Sequence, residues 1–223
     1  QPVRIGILSV NYIQDRRDNP ADAHKVIYNT IDLGFASNWF ASERSFLRLL
    51  GRNATYYRLT PNVVLARETA LGVIFPFRIP AGLSSTDAIP LPERFYGGGS
   101  QTNRGFPENQ AGPRDIGIPA SPGVPESPPT GFPLGGNALL FNNIELRFPL
   151  IGENIGGVLF HDTGNVYTKL SHLSLRYSQR DLKDFDYMVQ AVGFGIRYKT
   201  PIGPVRADLA YSLNPPSFYG FKG

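Results

Sequence analysis

Apolar and polar residues alternate along the last part of this sequence. Within 188–199, Val192 and Phe194 fall at one parity, whereas Arg197 and Lys199 fall at the other. A repeat of two residues places successive side chains on opposite faces of a β-strand. The pattern therefore predicts a strand of an antiparallel sheet that has one apolar face and one polar, charged face.

The same alternation recurs in seven other segments. In the segment that follows, Leu209 and Tyr211 oppose Arg206 and Asp208. The alternation is less regular at the fourth segment, because Arg67 and Glu68 fall on opposite faces, and also at the first. The predicted strands are 3–13, 25–37, 46–59, 63–77, 138–150, 155–167, 187–199 and 204–213.

The connections between these strands differ in length. Pro61-Asn62, Gly152-Glu153-Asn154 and Pro201-Ile202-Gly203 are tight turns, whereas 78–137 and 168–186 are long loops. Short turns at one end and long loops at the other are typical of an outer-membrane β-barrel. No window approaches the length of apolar sequence that a transmembrane helix needs. We therefore expect an all-β, antiparallel transmembrane barrel.

The segment 78–137 has neither a strand period nor a helix period. Its residues 95–106 read Phe-Tyr-Gly-Gly-Gly-Ser-Gln-Thr-Asn-Arg-Gly-Phe, and 112–135 is rich in proline and glycine and is expected to be irregular. Loops of this length are uncommon and are usually functional or disordered. A closed eight-stranded barrel has room only for its own side chains. If this loop folds inward, the strands therefore belong to a wider barrel; if it stays outside, the eight strands could close alone.

The composition excludes several kinds of site. Without cysteine there is no disulfide framework and no Cys-ligated metal. The three histidines, His24, His161 and His172, do not pair with other residues at metal-ligand or nucleophile spacing. The net charge of +4 is modest and the arginines are spread over the strands, so a nucleic-acid groove is not expected. We predict no enzyme activity, no cofactor and no metal.

Four motifs follow one another along nearly the whole chain. They are Asp15-Arg-Arg-Asp18-Asn-Pro20, the run from Gly97 to Phe106, Phe160-His-Asp-Thr-Gly-Asn-Val-Tyr167, and Gly195-Ile-Arg-Tyr-Lys-Thr-Pro-Ile-Gly-Pro-Val-Arg-Ala-Asp208. In this order they resemble the C-terminal barrel of the BamA/TamA superfamily of outer-membrane protein assembly and translocation barrels, also called bacterial surface antigens. Asn103 departs from the family, which has Val or Ile before the Arg-Gly-Phe tip.

The resemblance implies that residues 1–223 are part of a barrel domain. Such a barrel has roughly sixteen strands, and the eight predicted here correspond to its later half. The chain ends at Phe221-Lys222-Gly223, without the family's final strand and terminal aromatic residue. The family pattern also places periplasmic POTRA domains before the barrel. We therefore expect an incomplete barrel whose sheet does not close on itself.

The resemblance also implies a set of site residues. It makes Arg104, Gly105 and Phe106 the tip of a loop folded into the lumen, with Glu145 and Asp162 on the facing wall. A guanidinium forms bidentate bonds to carboxylates, and Gly105 is expected to adopt a backbone conformation closed to other residues. Phe106 is expected to wedge the tip against the wall. The remaining motif residues are Gly97, Gly98, Gly164, Asn165, Pro201, Gly203, Pro204, Arg206 and Asp208.

The function that the resemblance implies is insertion or translocation of proteins at a Gram-negative-type outer membrane. Its partners would be the lipid bilayer, unfolded outer-membrane protein clients, and accessory lipoproteins or an inner-membrane partner reached through the POTRA domains. Nucleic acid is not among them. A two-partner-secretion transporter or a barrel that anchors a passenger enzyme would share the architecture. A soluble lectin-like or lipocalin-like β-domain would instead bury the apolar faces in a core.

Overall fold

The fold is one antiparallel sheet. A computed structural model describes residues 3–17, 26–119, 126–152, 154–200 and 203–218. Each strand pairs with the next along the chain, which confirms the predicted all-β class. The strands are β1 (Ile7–Asp15), β2 (Val26–Ala36), β3 (Phe46–Thr60), β4 (Val63–Pro76), β5 (Ala138–Ile151), β6 (Ile155–Tyr167), β7 (Val189–Thr200) and β8 (Gly203–Ser212).

β1 and β7 begin later than the alternation predicts. The residues before each strand form hydrogen bonds with loops instead of with the neighbouring strand. Before β1, Arg4 accepts a hydrogen bond from the Glu43 backbone N–H through its carbonyl at 2.9 Å, so this segment follows the β2–β3 connection. Before β7, the Tyr187 carbonyl accepts from the Asn165 side chain at 2.7 Å. The Met188 N–H donates to the Arg176 carbonyl at 2.6 Å.

The register separates an apolar face from a polar face. Leu65, Leu146, Leu159, Phe194 and Leu209 are successive cross-strand partners from β4 to β8 and share one face. This face is exposed, and Leu209 reaches 79% exposure. The soluble alternative predicted a buried apolar face, whereas Leu159, Phe194 and Leu209 are exposed. The loop after β6 covers this face near its long-loop end, where Leu173 packs against Tyr167.

The charged residues of the strands lie mainly on the opposite face. On β7 and β8, Arg197 donates two hydrogen bonds to Asp208 there. The predicted placement of Phe194 and Ile196 opposite Arg197 is confirmed by their pairing with Leu209 and Ala207. At the short-turn end of the apolar face, Tyr57 and Tyr198 are exposed and Phe148 is half-buried.

The sheet is open within the described residues. No described pairing joins β1 to β8, so each of these strands has one unpaired edge. In hydrocarbon, such an edge would leave backbone N–H and C=O groups without partners. Within the described residues the sheet therefore does not close on itself, as expected.

The long loop after β4 packs on the polar face. Phe95 pairs with Gly136 at the base of the loop, and Gly97 pairs with Ala111. The Arg48 guanidinium lies 5.1 Å from the centroid of the Phe95 ring. Loop and sheet residues together form the main hydrophobic cluster, so the core of the chain lies between them. Its loop members are Ile89, Phe95, Phe106 and Ala111, and its sheet members include Phe46, Ile74, Phe141, Val166 and Val189.

Helical structure in the described residues consists of three short 3-10 turns, Asn38–Phe40, Leu91–Glu93 and Leu170–His172. None of the described helices is long and apolar enough to cross a membrane. Several features singled out in the sequence lie outside the described residues. They are Asp18, Asn19, Pro20, His24, Glu153, Pro201, Ile202 and the chain end Phe221-Lys222-Gly223.

A charge on the apolar face provides a test of the two-faced sheet. We expect Phe194→Lys to destabilise the full-length protein in phospholipid vesicles by about 2–4 kcal/mol if the site lies near the bilayer midplane. Ser9→Lys, on the exposed polar face of β1, is the control and is expected to have little effect. The free energy of unfolding in urea measures both. Equal effects of the two substitutions would contradict the assignment of faces.

Candidate functional site

The loop tip is shaped by glycines and by its own backbone hydrogen bonds. Gly98 and Gly99 have φ values of 102° and 79°, a region that favours glycine. The Gly99 N–H donates to the Phe106 carbonyl at 2.8 Å, which closes the tip. The Thr102 hydroxyl accepts from the Gly98 N–H at 2.8 Å and donates to the Gly98 carbonyl at 2.9 Å. The loop thus presents residues 103–105 as a compact turn.

Two buried side chains anchor this turn to the sheet. Phe106 packs in the cluster that contains Phe141 and Val166. Asn103 is fully buried, and its amide donates to the Val189 carbonyl at 3.4 Å. Its side-chain oxygen accepts from the Gly105 N–H at 3.2 Å. The Val or Ile of the family pattern could make neither hydrogen bond, so Asn103 adds polar contacts to the tip.

Arg104 brings the loop to two carboxylates of the sheet. Its Nε and Nη2 donate to Asp162 Oδ2 and Oδ1 at 2.8 and 2.7 Å. Its Nη1 donates to Glu145 Oε1 at 2.7 Å. The backbone N–H of Arg104 also donates to Asp162 Oδ2, at 3.0 Å. The structure thus places the tip arginine within hydrogen-bonding distance of both expected acids.

The surroundings of Arg104 favour its charged form. The guanidinium carbon lies 3.5 Å from the Phe160 ring centroid, within cation–π range. The Arg104 side chain is only 7% exposed, and that of Asp162 is not exposed at all. Burial alone would lower the pKa of Arg104, but the hydrogen bonds and charges of Asp162 and Glu145 outweigh burial and raise it.

Asp162 has its hydrogen-bonding capacity filled. Besides three bonds from Arg104, it accepts from Asn143 Nδ2 at 2.7 Å. The same Nδ2 donates to the Thr102 carbonyl at 2.7 Å, so Asn143 links the loop to the sheet a second time. A buried carboxylate is tolerated only when it is paired and hydrogen-bonded. Asn143 was not predicted, although its parity with Glu145 places it on the right face.

Further arginines balance the carboxylates. Arg147 donates to Glu145 Oε2 from Nε and Nη2 at 2.9 and 2.8 Å. Arg197 donates from Nη2 to Asp208 Oδ2 at 3.2 Å. Arg104 Nη1 lies 3.6 Å from the same Asp208 oxygen. The cluster therefore has equal numbers of positive and negative groups. Its members are Arg104, Arg147, Arg197, Glu145, Asp162 and Asp208.

The expectation that Gly105 adopts a backbone conformation closed to other residues is wrong. Its φ is not among the positive values that characterise Gly98 and Gly99, so its backbone is open to other residues. Glycine is needed here for space: a β-carbon at position 105 would lie 2.4 Å from the Ala191 side chain and 3.4 Å from the Ser212 backbone. The absent side chain allows the tip to lie directly on β7 and β8.

The other motif glycines and Asn165 support the same region. A β-carbon on Gly97 would meet the Phe141 ring at 2.5 Å, so this glycine also allows close packing. Gly164, within β6, has a φ of 143°. Asn165 is buried and donates to the carbonyls of Phe185 and Tyr187 at 2.9 and 2.7 Å. Asn165 thereby fixes the loop that precedes β7.

The remaining motif residues lie farther from the tip. Gly203 and Pro204 open β8, and Arg206 is paired across the ladder with Arg197 on the polar face. Arg206 lines a small cavity together with Arg104, but within the described residues it makes no ion pair with the carboxylates. His161 is on the apolar face, where its Nε2 is 3.0 Å from Gln190 Oε1.

Removal of the tip guanidinium is expected to release the loop. Arg104→Ala leaves the buried Asp162 carboxylate uncompensated, so we expect a loss of about 3–5 kcal/mol in the free energy of unfolding of the full-length protein. Arg104→Lys retains a charge without the bidentate fork and is expected to lose less. In a double-mutant cycle with Asp162→Asn, the losses are expected to be strongly non-additive. Additive losses would contradict direct coupling.

A methyl group at Gly105 tests the close approach. We expect Gly105→Ala to cost about 1–3 kcal/mol, because the added carbon overlaps Ala191 and pushes the tip from the sheet. Gly51→Ala is the matched control, since its added carbon would have no neighbour nearer than 3.9 Å. Protease cleavage within 97–106 reports release of the loop. Unchanged protection in Gly105→Ala would show that space is not limiting there.

Comparisons with known proteins give the same fold and family. The chain is 24% identical over 213 residues to the outer membrane protein assembly factor BamA of Nitratidesulfovibrio vulgaris; the match covers 93% of this chain and 23% of that protein. It superposes on the crystal structure of Haemophilus ducreyi BamA lacking POTRA domains 1–3 with a TM-score of 0.75. That match has 19% sequence identity and covers 96% of this chain and 40% of the other. The chain thus spans less than half the length of either. Residues 6–220 match the Omp85 superfamily domain, and the chain belongs to that superfamily.

Proposed function

We propose that this chain is part of the outer-membrane barrel of a protein assembly or insertion factor in a Gram-negative-type bacterium. One observation carries the proposal: in a chain of the Omp85 superfamily, Arg104 at a loop tip is bonded to Asp162 and Glu145 on the polar face of the sheet. A long loop held against the sheet in this way occupies the interior side of a barrel wall.

The two faces fit a membrane position. The exposed apolar face, with residues such as Leu159 and Leu209, meets lipid. The polar face, with its arginines and carboxylates, lines a hydrated interior, as in outer-membrane barrels. Residues 1–223 then form one incomplete barrel domain, in which β1 and β8 pair with strands outside it. With its long loop inside, this barrel is wider than an eight-stranded one.

The Arg104 contact gives the barrel wall a fixed shape. Ordering a glycine-rich loop has a conformational cost, which charge-assisted hydrogen bonds of roughly 1.5–3 kcal/mol help to offset. The tip contacts Glu145 on β5, Asp162 on β6 and, through Gly105, β7 and β8. The tip thus holds β5, β6, β7 and β8 together from the interior side of the barrel while client proteins are assembled. This role needs no catalytic step, and we assign no enzyme activity to the chain.

The partners follow from this role. The bilayer surrounds the apolar face, and unfolded outer-membrane proteins are the clients. Accessory lipoproteins or an inner-membrane partner would act through POTRA domains elsewhere in the full-length protein. The Haemophilus ducreyi BamA structure lacks POTRA domains 1–3 of that protein.

The proposal is tested with the full-length protein in phospholipid vesicles. Assembly of an unfolded outer-membrane protein is followed by its protection from protease. We expect Arg104→Ala to reduce the assembly rate at least tenfold, and Arg104→Lys to restore part of it. Arg44→Ala is the control, because within the described part of the chain the Arg44 side chain makes a single hydrogen bond, to the neighbouring Glu43 carbonyl at 3.5 Å. No assembly by the wild type, with export of a soluble passenger instead, would favour the secretion alternative and overturn the proposal.

A further inference from the structure

Arg67 is the one Asp, Glu, Lys or Arg that the described strands place on the apolar face. It is paired with Thr55 of β3 and Ile144 of β5, next to the apolar row that contains Leu65 and Leu146. The other basic residues of the strands lie on the polar face. These are Arg48, Arg52, Arg58, Arg147, Arg197, Lys199 and Arg206.

Arg67 is held by an amide and has no counter-ion in the described chain. Its Nε donates to Asn142 Oδ1 at 2.8 Å, and Thr69 Oγ1 donates to the same oxygen at 3.0 Å. Among the described residues, Nη1 and Nη2 have no hydrogen-bond partner, and the residue is exposed. A guanidinium in hydrocarbon is costly unless it meets an anion or reaches the interface. An oriented, unneutralised guanidinium on a lipid-facing surface therefore indicates an anionic ligand.

The height of Arg67 on the sheet identifies the source of that anion. Arg67 lies four residues after Val63, the start of β4, which is roughly 13 Å along the strand and about 10 Å in height at the usual tilt. The apolar band of such barrels is about 25 Å tall. The exposed Tyr57 lies nearer the short turns, at the level where aromatic side chains mark the interface. At this depth Arg67 is nearer the lipid phosphates on the short-turn side than those on the long-loop side.

We propose that Arg67 binds the phosphate of one phospholipid in the leaflet on the short-turn side of the barrel. Nη1 and Nη2 contact two phosphate oxygens, in the bidentate geometry that guanidinium favours. Asn142 Oδ1 accepts from Nε and orients the fork, and Thr69 holds that oxygen through its hydroxyl. The inference rests on the proposed function only in requiring that the apolar face lies in a bilayer.

A row of polar side chains connects this site with the membrane surface. Thr69 is paired with Asn53, Asn53 with Asn29, and Asn29 with Gln14 near the end of β1. Asn53 Nδ2 donates to Asn29 Oδ1 at 2.6 Å, and Asn29 Nδ2 donates to Gln14 Oε1 at 2.8 Å. All these residues lie on the apolar face. The row provides polar contacts for the glycerol and ester groups of a lipid between the short-turn rim and Arg67.

The test counts the lipids that the barrel retains. Full-length protein is reconstituted in nanodiscs of phosphatidylglycerol, released gently, and examined by native mass spectrometry. We expect the wild type to retain one more phospholipid than Arg67→Leu, with at least tenfold higher occupancy of that site, and Arg67→Lys to be intermediate. Arg58→Leu is the matched control, because it removes the same charge from the polar face of β3 and is expected to retain the lipid.

Each other outcome overturns the inference in a distinguishable way. Equal lipid retention by wild type and Arg67→Leu would show that no such site exists. Arg67-dependent stabilisation by inorganic phosphate alone, in lipid-free detergent, would make it a free-anion site. Loss of a co-purifying protein from Arg67→Glu, with an unchanged lipid count, would assign Arg67 to a protein partner. Failure of the wild type to enter nanodiscs would refute the membrane position itself, and with it the proposed function.

Discussion

The arrangement of the site depends on one buried charge, the Asp162 carboxylate. It is fully buried on the polar face of β6 and accepts four hydrogen bonds, three from Arg104 and one from Asn143. A carboxylate removed from water without partners would be strongly destabilising. Asp162 is therefore stable in its buried position only while Arg104 of the loop is bonded to it. This requirement couples the conformation of the glycine-rich loop to the stability of the sheet.

Space for this contact comes from residues that have little or no side chain. Gly105 lies against Ala191, and Gly193 faces the Phe160 ring, on which the Arg104 guanidinium rests. A β-carbon on Gly193 would meet that ring at 2.3 Å. The charge cluster and the glycines therefore act together. The buried ion pair needs counter-charges, which the cluster provides, and it needs space beside the sheet, which the glycines provide. Among the described strand residues, Arg67 is the one Asp, Glu, Lys or Arg on the opposite face of the sheet.

The strands could be predicted from the sequence because alternation over eight segments leaves little freedom in β-sheet register. The pairing of Arg104 with Glu145 and Asp162 came from the family resemblance, since nothing local to the loop identifies a partner on a strand. The roles of Asn143, Arg147 and Arg197 depend on cross-strand register and could not be read from any one segment. The reason for Gly105 was misjudged because the sequence does not distinguish a glycine needed for backbone conformation from one needed for space.

The central claim is that the tip is fixed to the sheet, and hydrogen exchange of the Arg104 backbone amide tests it most directly. This N–H donates to Asp162 Oδ2 at 3.0 Å. In the full-length protein in a bilayer, we expect residues 103–106 to exchange as slowly as the amides of β6, because the tip opens only when the buried ion pair breaks. Exchange as fast as that of the exposed loop residues 82–84 would show that the tip is not held, and would contradict this account.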